Sequence, residues 1–211
     1  LFGNRSTVVP SPDLVPERAL SVDGAVTARG RAGVASGYVS VGAFVTWVDE
    51  MIRFRRTAQS QVKYENISSG RSRGVEVELR GQLTKHFVTL GDLTWTDAID
   101  ESTGNRLPGQ PEWIAFVQPE AHSGELSKRV SDLMLFFRVL YLGDSFADPA
   151  NLVVLSARTE LSTGLGVDMF ERRLGLSFRV DDLLDARGQD LLGYPLPGRR
   201  YTGRISIRHA W

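Results

Sequence analysis

A chain of 211 residues with 25 Lys and Arg against 25 Asp and Glu has no formal charge surplus, so it lacks the electrostatic footprint of a nucleic-acid binder. It contains no cysteine, which excludes disulfides, thiolate metal sites and cysteine nucleophiles. No run of about 18 apolar residues occurs, so the sequence offers no membrane-crossing helix.

Residues 1–17 read as loop, because Pro10, Pro12 and Pro16 remove backbone donors and interrupt regular structure. From residue 18 the pattern alternates. Over 18–30, Leu20, Val22, Gly24, Val26 and Ala28 fall on one face, against Ser21, Asp23, Thr27 and Arg29. A turn at Gly30–Gly33 leads to 37–48, with Val39, Val41, Ala43, Val45 and Trp47 on one face. A polar loop is predicted over 49–72. The strand over 73–82 sets Val75, Val77 and Leu79 against Glu76, Glu78 and Arg80.

A short turn at 83–86 precedes 87–97, where Leu93 and Trp95 oppose Asp92, Thr94 and Thr96. After a loop over 98–111 comes 112–121, with Trp113, Ala115 and Val117 on one face. The strand over 129–142 follows a turn at Ser123–Lys128. It puts Leu133, Leu135, Phe137, Val139 and Tyr141 opposite Asp132, Met134, Phe136 and Arg138. A loop at 143–150 leads to a hairpin of 151–161 and 169–181, with its turn predicted at Thr163-Gly-Leu-Gly166. The closing loop, 182–198, releases a last strand over 199–211. Its apolar side is Tyr201, Ile205, Ile207 and Trp211, and its charged side is Arg204 and Arg208.

Strands of 10–13 residues exceed the usual five or six of a soluble domain and suit a tilted bilayer crossing. Connections alternate short and long, as in a membrane barrel with tight turns on one side and large loops on the other. The fold class is therefore all-β, an antiparallel transmembrane β-barrel. About nine strands are predicted, an odd number, so the first and last run the same way and an open curved sheet is expected. Apolar side chains face lipid: Val75, Val77, Leu79, Leu93, Trp95, Leu133, Leu135, Phe137, Leu176, Phe178, Ile205 and Ile207. Glu76, Glu78, Arg80, Asp92, Asp132, Arg138, Arg179, Arg204 and Arg208 form a lumen-facing charged wall. Arg158, Arg173 and Glu160 are assigned to the same wall.

Catalytic chemistry is poorly provided for. The three histidines are His86 and His122, in or beside turns, and His209 on the last strand. No zinc-protease, nucleophile-elbow, phosphate-loop or dinucleotide motif occurs, so no catalytic residue, cofactor or metal ligand is assigned. The two Asn-x-Ser sequences, at Asn4 and Asn66, are read as coincidence.

Several stretches resemble one family. Leu1-Phe-Gly-Asn-Arg5 and Pro12-Asp-Leu-Val-Pro-Glu17 are similar to the "E-L-F-G-D-R" and "N-P-x-L-x-P-E" segments of TonB-dependent outer-membrane receptors, with Ser11 for the usual Asn. Ser72-Arg-Gly-Val-Glu-Val-Glu-Leu79 resembles that family's "S-R-G-V-E-x-E" strand. Val180-Asp-Asp-Leu-Leu-Asp185 and Gly193-Tyr-Pro-Leu-Pro-Gly-Arg199 resemble the elements flanking its last outer loop, with Asp182 for the usual Asn. The resemblance implies that residues 1–211 are the C-terminal part of the barrel domain in the bacterial outer membrane. It implies uptake of a scarce nutrient such as a ferric siderophore or cobalamin, energised by the TonB system through an N-terminal plug outside these residues. It also implies that Trp211, with Tyr201, Ile205 and Ile207, is read by the outer-membrane assembly machinery. On that reading the chain is not functional alone. Its partners are TonB, the assembly machinery, the lipid bilayer and an unidentified small molecule, not nucleic acid. A complete small barrel with a structural or adhesive role stays open, as does a barrel enzyme, which the missing motifs disfavour.

Overall fold

The computed structural model describes residues 8–56, 61–66, 69–186, 188–191 and 193–208. Nine strands form one antiparallel sheet in unbroken chain order. They are β1 Arg18–Ala32, β2 Ala35–Asp49, β3 Ser69–Thr84, β4 Phe87–Asp100, β5 Trp113–His122, β6 Val130–Leu142, β7 Arg158–Met169, β8 Leu174–Asp181 and β9 Arg200–Ile207. β1 and β9 are the two edges, and no ladder joins them among the described residues. The sheet is open, as expected where first and last strand point the same way.

Short turns gather at one end and long loops at the other. Gly33, at φ 61°, supplies the left-handed residue of the tight β1–β2 hairpin. The β5–β6 turn is tied down from the strand beside it. Asp132 accepts the Gly124 N–H at 2.9 Å, and Ser123 Oγ accepts the Leu133 N–H at 2.8 Å. The β7–β8 turn falls at 170–173 and not at Thr163–Gly166. Gly164 and Gly166 lie inside β7, and a Cβ on Gly164 would stand 2.5 Å from the Phe136 ring. This glycine makes room for a ring rather than a bend. The actual turn has no glycine: Phe170, Glu171 and Arg172 hold φ of 52°, 58° and 65°. Arg173 consequently belongs to the turn, where it meets Glu171 at 3.5 Å in open solvent, and is not part of the wall.

The predicted 49–72 loop is more ordered than its polarity suggests. Ile52–Arg56 pairs with Val62–Asn66, Val8–Val9 adds to Val62–Lys63 in parallel, and β3 already begins at Ser69. The Asn66 amide donates to the carbonyl of Val15 at 2.9 Å and accepts the Val15 N–H at 3.0 Å. Its structural role is a brace between the leading segment and this loop. Asp182 holds φ 52°, a conformation Asn and Asp both tolerate, so its replacement of the family's Asn is conservative in backbone terms.

The sheet has almost no core. Ala98 and Phe136 are the only buried hydrophobic residues among those described, whereas Leu135 is 56% exposed and Ile205 72%. Registered rows collect the apolar side chains on one face: Val26–Val41–Val77–Leu93, and Leu133–Val167–Leu176–Ile205. From Leu133 to Tyr141 is about 27 Å of strand at about 3.4 Å per residue, or about 20 Å of depth at a tilt of about 40°. At the loop end the rows close on Trp47, Trp95 and Trp113, the last two with ring centroids 6.5 Å apart. Two residues beyond Val75 and Trp95 the same face turns charged, with Arg73 Nε 3.0 Å from Asp97.

Candidate functional site

The opposite face gathers the charges. Register places Glu76, Glu78 and Arg80 of β3, Asp92 of β4, Asp132 and Arg138 of β6, Arg179 of β8 and Arg204 of β9 at one parity. Arg208, just past β9, lines the same cleft as Arg204. Tyr201, Ile205 and Ile207 lie on the apolar face, and Tyr201 stacks on Phe178 at 6.4 Å. Trp211 and His209 lie outside the described residues, as do Leu1–Arg5.

Three groups structure the charged face. On β2–β4, Glu78 and Asp92 are direct cross-strand partners, and two carboxylates so placed repel. Arg80 bridges them, at 3.3 Å to each, while Tyr38 Oη donates to Glu78 at 2.8 Å. These side chains are a third or more exposed, so each pair contributes at most about 1 kcal/mol.

On β5–β6 a side-chain chain runs along alternate residues. Arg138 lies between the Phe116 and Phe136 rings, 5.4 and 5.7 Å from their centroids. Its Nε donates to Gln118 Oε1 at 2.7 Å, and Gln118 Nε2 donates to Glu120. Glu120 approaches His122 Nε2 at 3.5 Å, and His122 Nδ1 lies 2.7 Å from Asp132. Gln118 is buried, and both ends of its amide are satisfied, so the chain carries no orphaned polar group there. Sequence reasoning identified Asp132 and Arg138 but not Gln118, Glu120 and His122 between them. The available signal was their i, i+2, i+4 spacing on one face of β5.

At the loop end, Arg158 joins Glu160 at 3.0 Å and Asp190 at 2.6 Å, and Arg53 meets Asp100 at 3.3 Å. Asn151 ties the β4–β5 loop to the β6–β7 loop, accepting the Arg106 N–H at 2.7 Å and donating to the Arg106 carbonyl at 2.9 Å. Asp148 organises the second of these loops. Hydrogen bonds from the Val153 N–H at 2.6 Å, and from those of Leu152 and Ala150, hold its carboxyl below the ordinary range. A depressed carboxyl stabilises the loop above its unfolded pKa, about 3.9, and that contribution disappears as pH falls through the folded value. Amide protection at Ala150, Leu152 and Val153 should therefore drop on acidification below about pH 4. Asp148→Ala should show the low protection already at neutral pH. Equal protection in the two proteins at pH 7 would contradict this role.

Among the described residues no group of three or more His, Asp or Glu is placed to hold a metal. What the face offers is an ion-paired, hydrogen-bonded surface of both signs of charge, with loops that bond one another at one end.

Comparison with known proteins places the fold among receptor barrels. The family described as TonB dependent receptor-like, beta-barrel, matches residues 1–183. None of the curated proteins compared with the chain matches it in sequence. Among solved structures, the chain is similar to the copper transporter OprC, with TM-score 0.72 and 18% identity over 92% of this chain and 32% of that one. It is also similar to the ferric yersiniabactin uptake receptor FyuA from Yersinia pestis, with TM-score 0.65 and 17% identity over 88% of this chain and 28% of that one. The siderophore receptor PirA from Acinetobacter baumannii gives TM-score 0.64 and 16% identity over 94% and 32%. At such identities the likeness concerns the fold. The chain spans about three tenths of the length of these structures.

Proposed function

The chain belongs to the TonB-dependent receptor β-barrel family, and from that premise we propose that it is the C-terminal part of the barrel of a receptor importing a scarce nutrient, such as a ferric siderophore or cobalamin, with energy supplied through TonB. The family's members are outer-membrane receptors and transporters rather than enzymes. One observation carries the reading: large apolar side chains stand exposed along a whole face, while the ordered charge network lies on the other. A soluble sheet reverses this arrangement, since its apolar face is the one it covers. Here lipid is the solvent that fits the apolar face. The opposite face, with Glu76, Glu78, Arg80, Asp92, Asp132, Arg138, Arg179, Arg204 and Arg208, is the wall of the lumen. The neighbouring structures' named cargoes, a copper transporter's and ferric siderophore receptors', favour a metal or metal complex as ligand.

The open edges also favour a larger barrel over a small complete one. β1 and β9 each leave one side of the strand unpaired, and hydrocarbon cannot satisfy those backbone groups. On this reading the terminal Trp211, with Tyr201, Ile205 and Ile207, is the signal to the assembly machinery. The full-length protein should enter the outer membrane as a heat-modifiable barrel and support growth when the nutrient is limiting only in a TonB-competent strain. Deleting Trp211 should lower the heat-modifiable fraction severalfold. Growth independent of TonB would refute the transport reading, and unchanged insertion without Trp211 would refute the signal.

A further inference from the structure

Charge is not spread evenly between the two ends of the sheet. The turns joining β3–β4, β5–β6 and β7–β8 hold five cations against two acids, Glu125 and Glu171, whereas the four long loops hold seven cations against nine acids. At the loop end Arg71, Arg73 and Arg106 meet Glu101, Asp97 and Glu112 at 3.8, 3.0 and 3.3 Å. At the turn end Arg173 meets Glu171, but Lys85, Lys128, Arg129 and Arg172 make no ion pair among the described residues, and Arg172 acts on Asp132 only through space. Glu125 is unpaired as well, so the turns keep a surplus of positive charge that nothing in the wall consumes. All five cations are exposed. Each hairpin tip also exposes one large apolar side chain: Val34, Leu83, Leu126 and Phe170. Backbone hydrogen bonds tie three of these turns into one rim. The His122 N–H donates to the His86 carbonyl at 2.7 Å, and the Phe170 N–H to the Arg129 carbonyl at 2.9 Å.

We propose that this rim docks on anionic phospholipid headgroups of the leaflet at the turn end, its apolar tips in the boundary between headgroups and acyl chains and its lysines and arginines on the phosphates. The inference rests on the lipid-facing wall above and adds which lipid that wall selects, and where. A single exposed leucine is ordinary. One at each of four successive tips, with cations beside three of them, is the composition of an interfacial anchor. The surplus of cations sets the preference, because a zwitterionic headgroup brings its own cation and an anionic one leaves net negative charge to pair. The layout favours a leaflet over an acidic protein. Successive hairpins stand two strands apart, about 10 Å, so the tips recur along the curve of the wall and not in one compact patch. The lipid that covers the apolar face is continuous around that same curve.

The test uses the full-length receptor in nanodiscs of phosphatidylglycerol and phosphatidylcholine in equal amounts. A photo-crosslinking amino acid replaces Leu126 at a tip or, in a separate sample, Leu135 on the apolar face. Mass spectrometry reads which lipid is attached. At Leu126 phosphatidylglycerol adducts are expected to exceed phosphatidylcholine adducts about fivefold, equivalent to the roughly 1 kcal/mol that one cation contributes near an anionic surface. At Leu135 the two lipids should attach equally. Lys128→Gln with Arg129→Gln should bring the Leu126 preference below about twofold. Heat-modifiable mobility read on the same samples shows whether the variant barrel is folded, and Lys128→Gln alone, with a smaller drop, serves if the double variant is not. Lipid adducts at Leu135 with none at Leu126, no headgroup preference at Leu126, or a preference that ignores the charge removal in a folded barrel overturns the proposal and leaves the lipid-facing wall intact. Capture of an acidic protein in place of lipid by the Leu126 probe in native outer membranes overturns it too. Absence of lipid adducts at both positions overturns the proposal and the lipid-facing wall together.

Discussion

Leu135→Arg is expected to destabilise the inserted barrel by about 2 to 4 kcal/mol, the cost of a cation near the midplane of a lipid-facing strand. Leu135 sits within the apolar stretch of β6, next on its face to Phe137 at the centre of that stretch, and its neighbours across the sheet are Ala121 and Leu165. It is more than half exposed, so no protein contact explains its hydrophobicity. In a water-soluble sheet the same change would cost little, because an exposed leucine loses nothing by becoming charged. The size of the effect therefore reports the solvent. Denaturant unfolding of the full-length protein from vesicles measures it, with Val117→Arg as a second site on the apolar face of β5 and Thr94→Arg as a control on the charged face. A loss below about 0.5 kcal/mol at both apolar positions, the range of ordinary surface substitutions, would remove the lipid assignment.

The comparison of magnitudes also ranks the two faces. The ion pairs of the charged face are partly exposed, and each contributes about 1 kcal/mol or less. One misplaced cation on the other face costs more than any of them. Stability is set by the apolar rows, whereas the charged face is free to be chosen for what it contacts.

This division decides what was legible in the sequence. A period of two holds along any stretch without a bulge, so the face of Val75, Leu93 or Ile205 could be read from alternation alone. Pairing could not. Glu78 opposes Asp92 because of where the β3–β4 turn falls and because the register shifts between Gln82 and Thr84. Nothing in 73–97 announces that shift. The chain from Arg138 to Asp132 through Gln118 depends likewise on the β5–β6 register. The 163–166 error has a different cause. Glycine marks bends and close approaches alike, and only the position of Phe136 on the neighbouring strand separates them. The β7–β8 turn was hidden for the opposite reason, since three non-glycine residues take the left-handed conformation there.

Phe136 and Gly164 carry the second large effect. They are direct cross-strand partners, and the ring, one of the two buried hydrophobic side chains described, lies over the glycine. Phe136 also forms one wall of the Arg138 slot. Gly164→Val has no room: its Cβ would meet the ring at 2.5 Å and the Phe178 carbonyl oxygen at 2.9 Å. Displacing the ring should cost about 1 to 3 kcal/mol, as overpacking does. Phe136→Ala should cost about 3 kcal/mol, at the low end for a buried aromatic because the site borders an open face. The two losses should not add. With the ring gone, valine at 164 enters the space it vacated, so the double variant should be more stable than the sum of the singles predicts by about 1 kcal/mol or more. Strict additivity in the double-mutant cycle would mean that the glycine serves the backbone rather than the ring. The Arg138 slot supplies an independent reading of the same contact. Phe136→Ala removes one of its two aromatic walls, so Arg138→Ala should cost less in that background than in the parent protein.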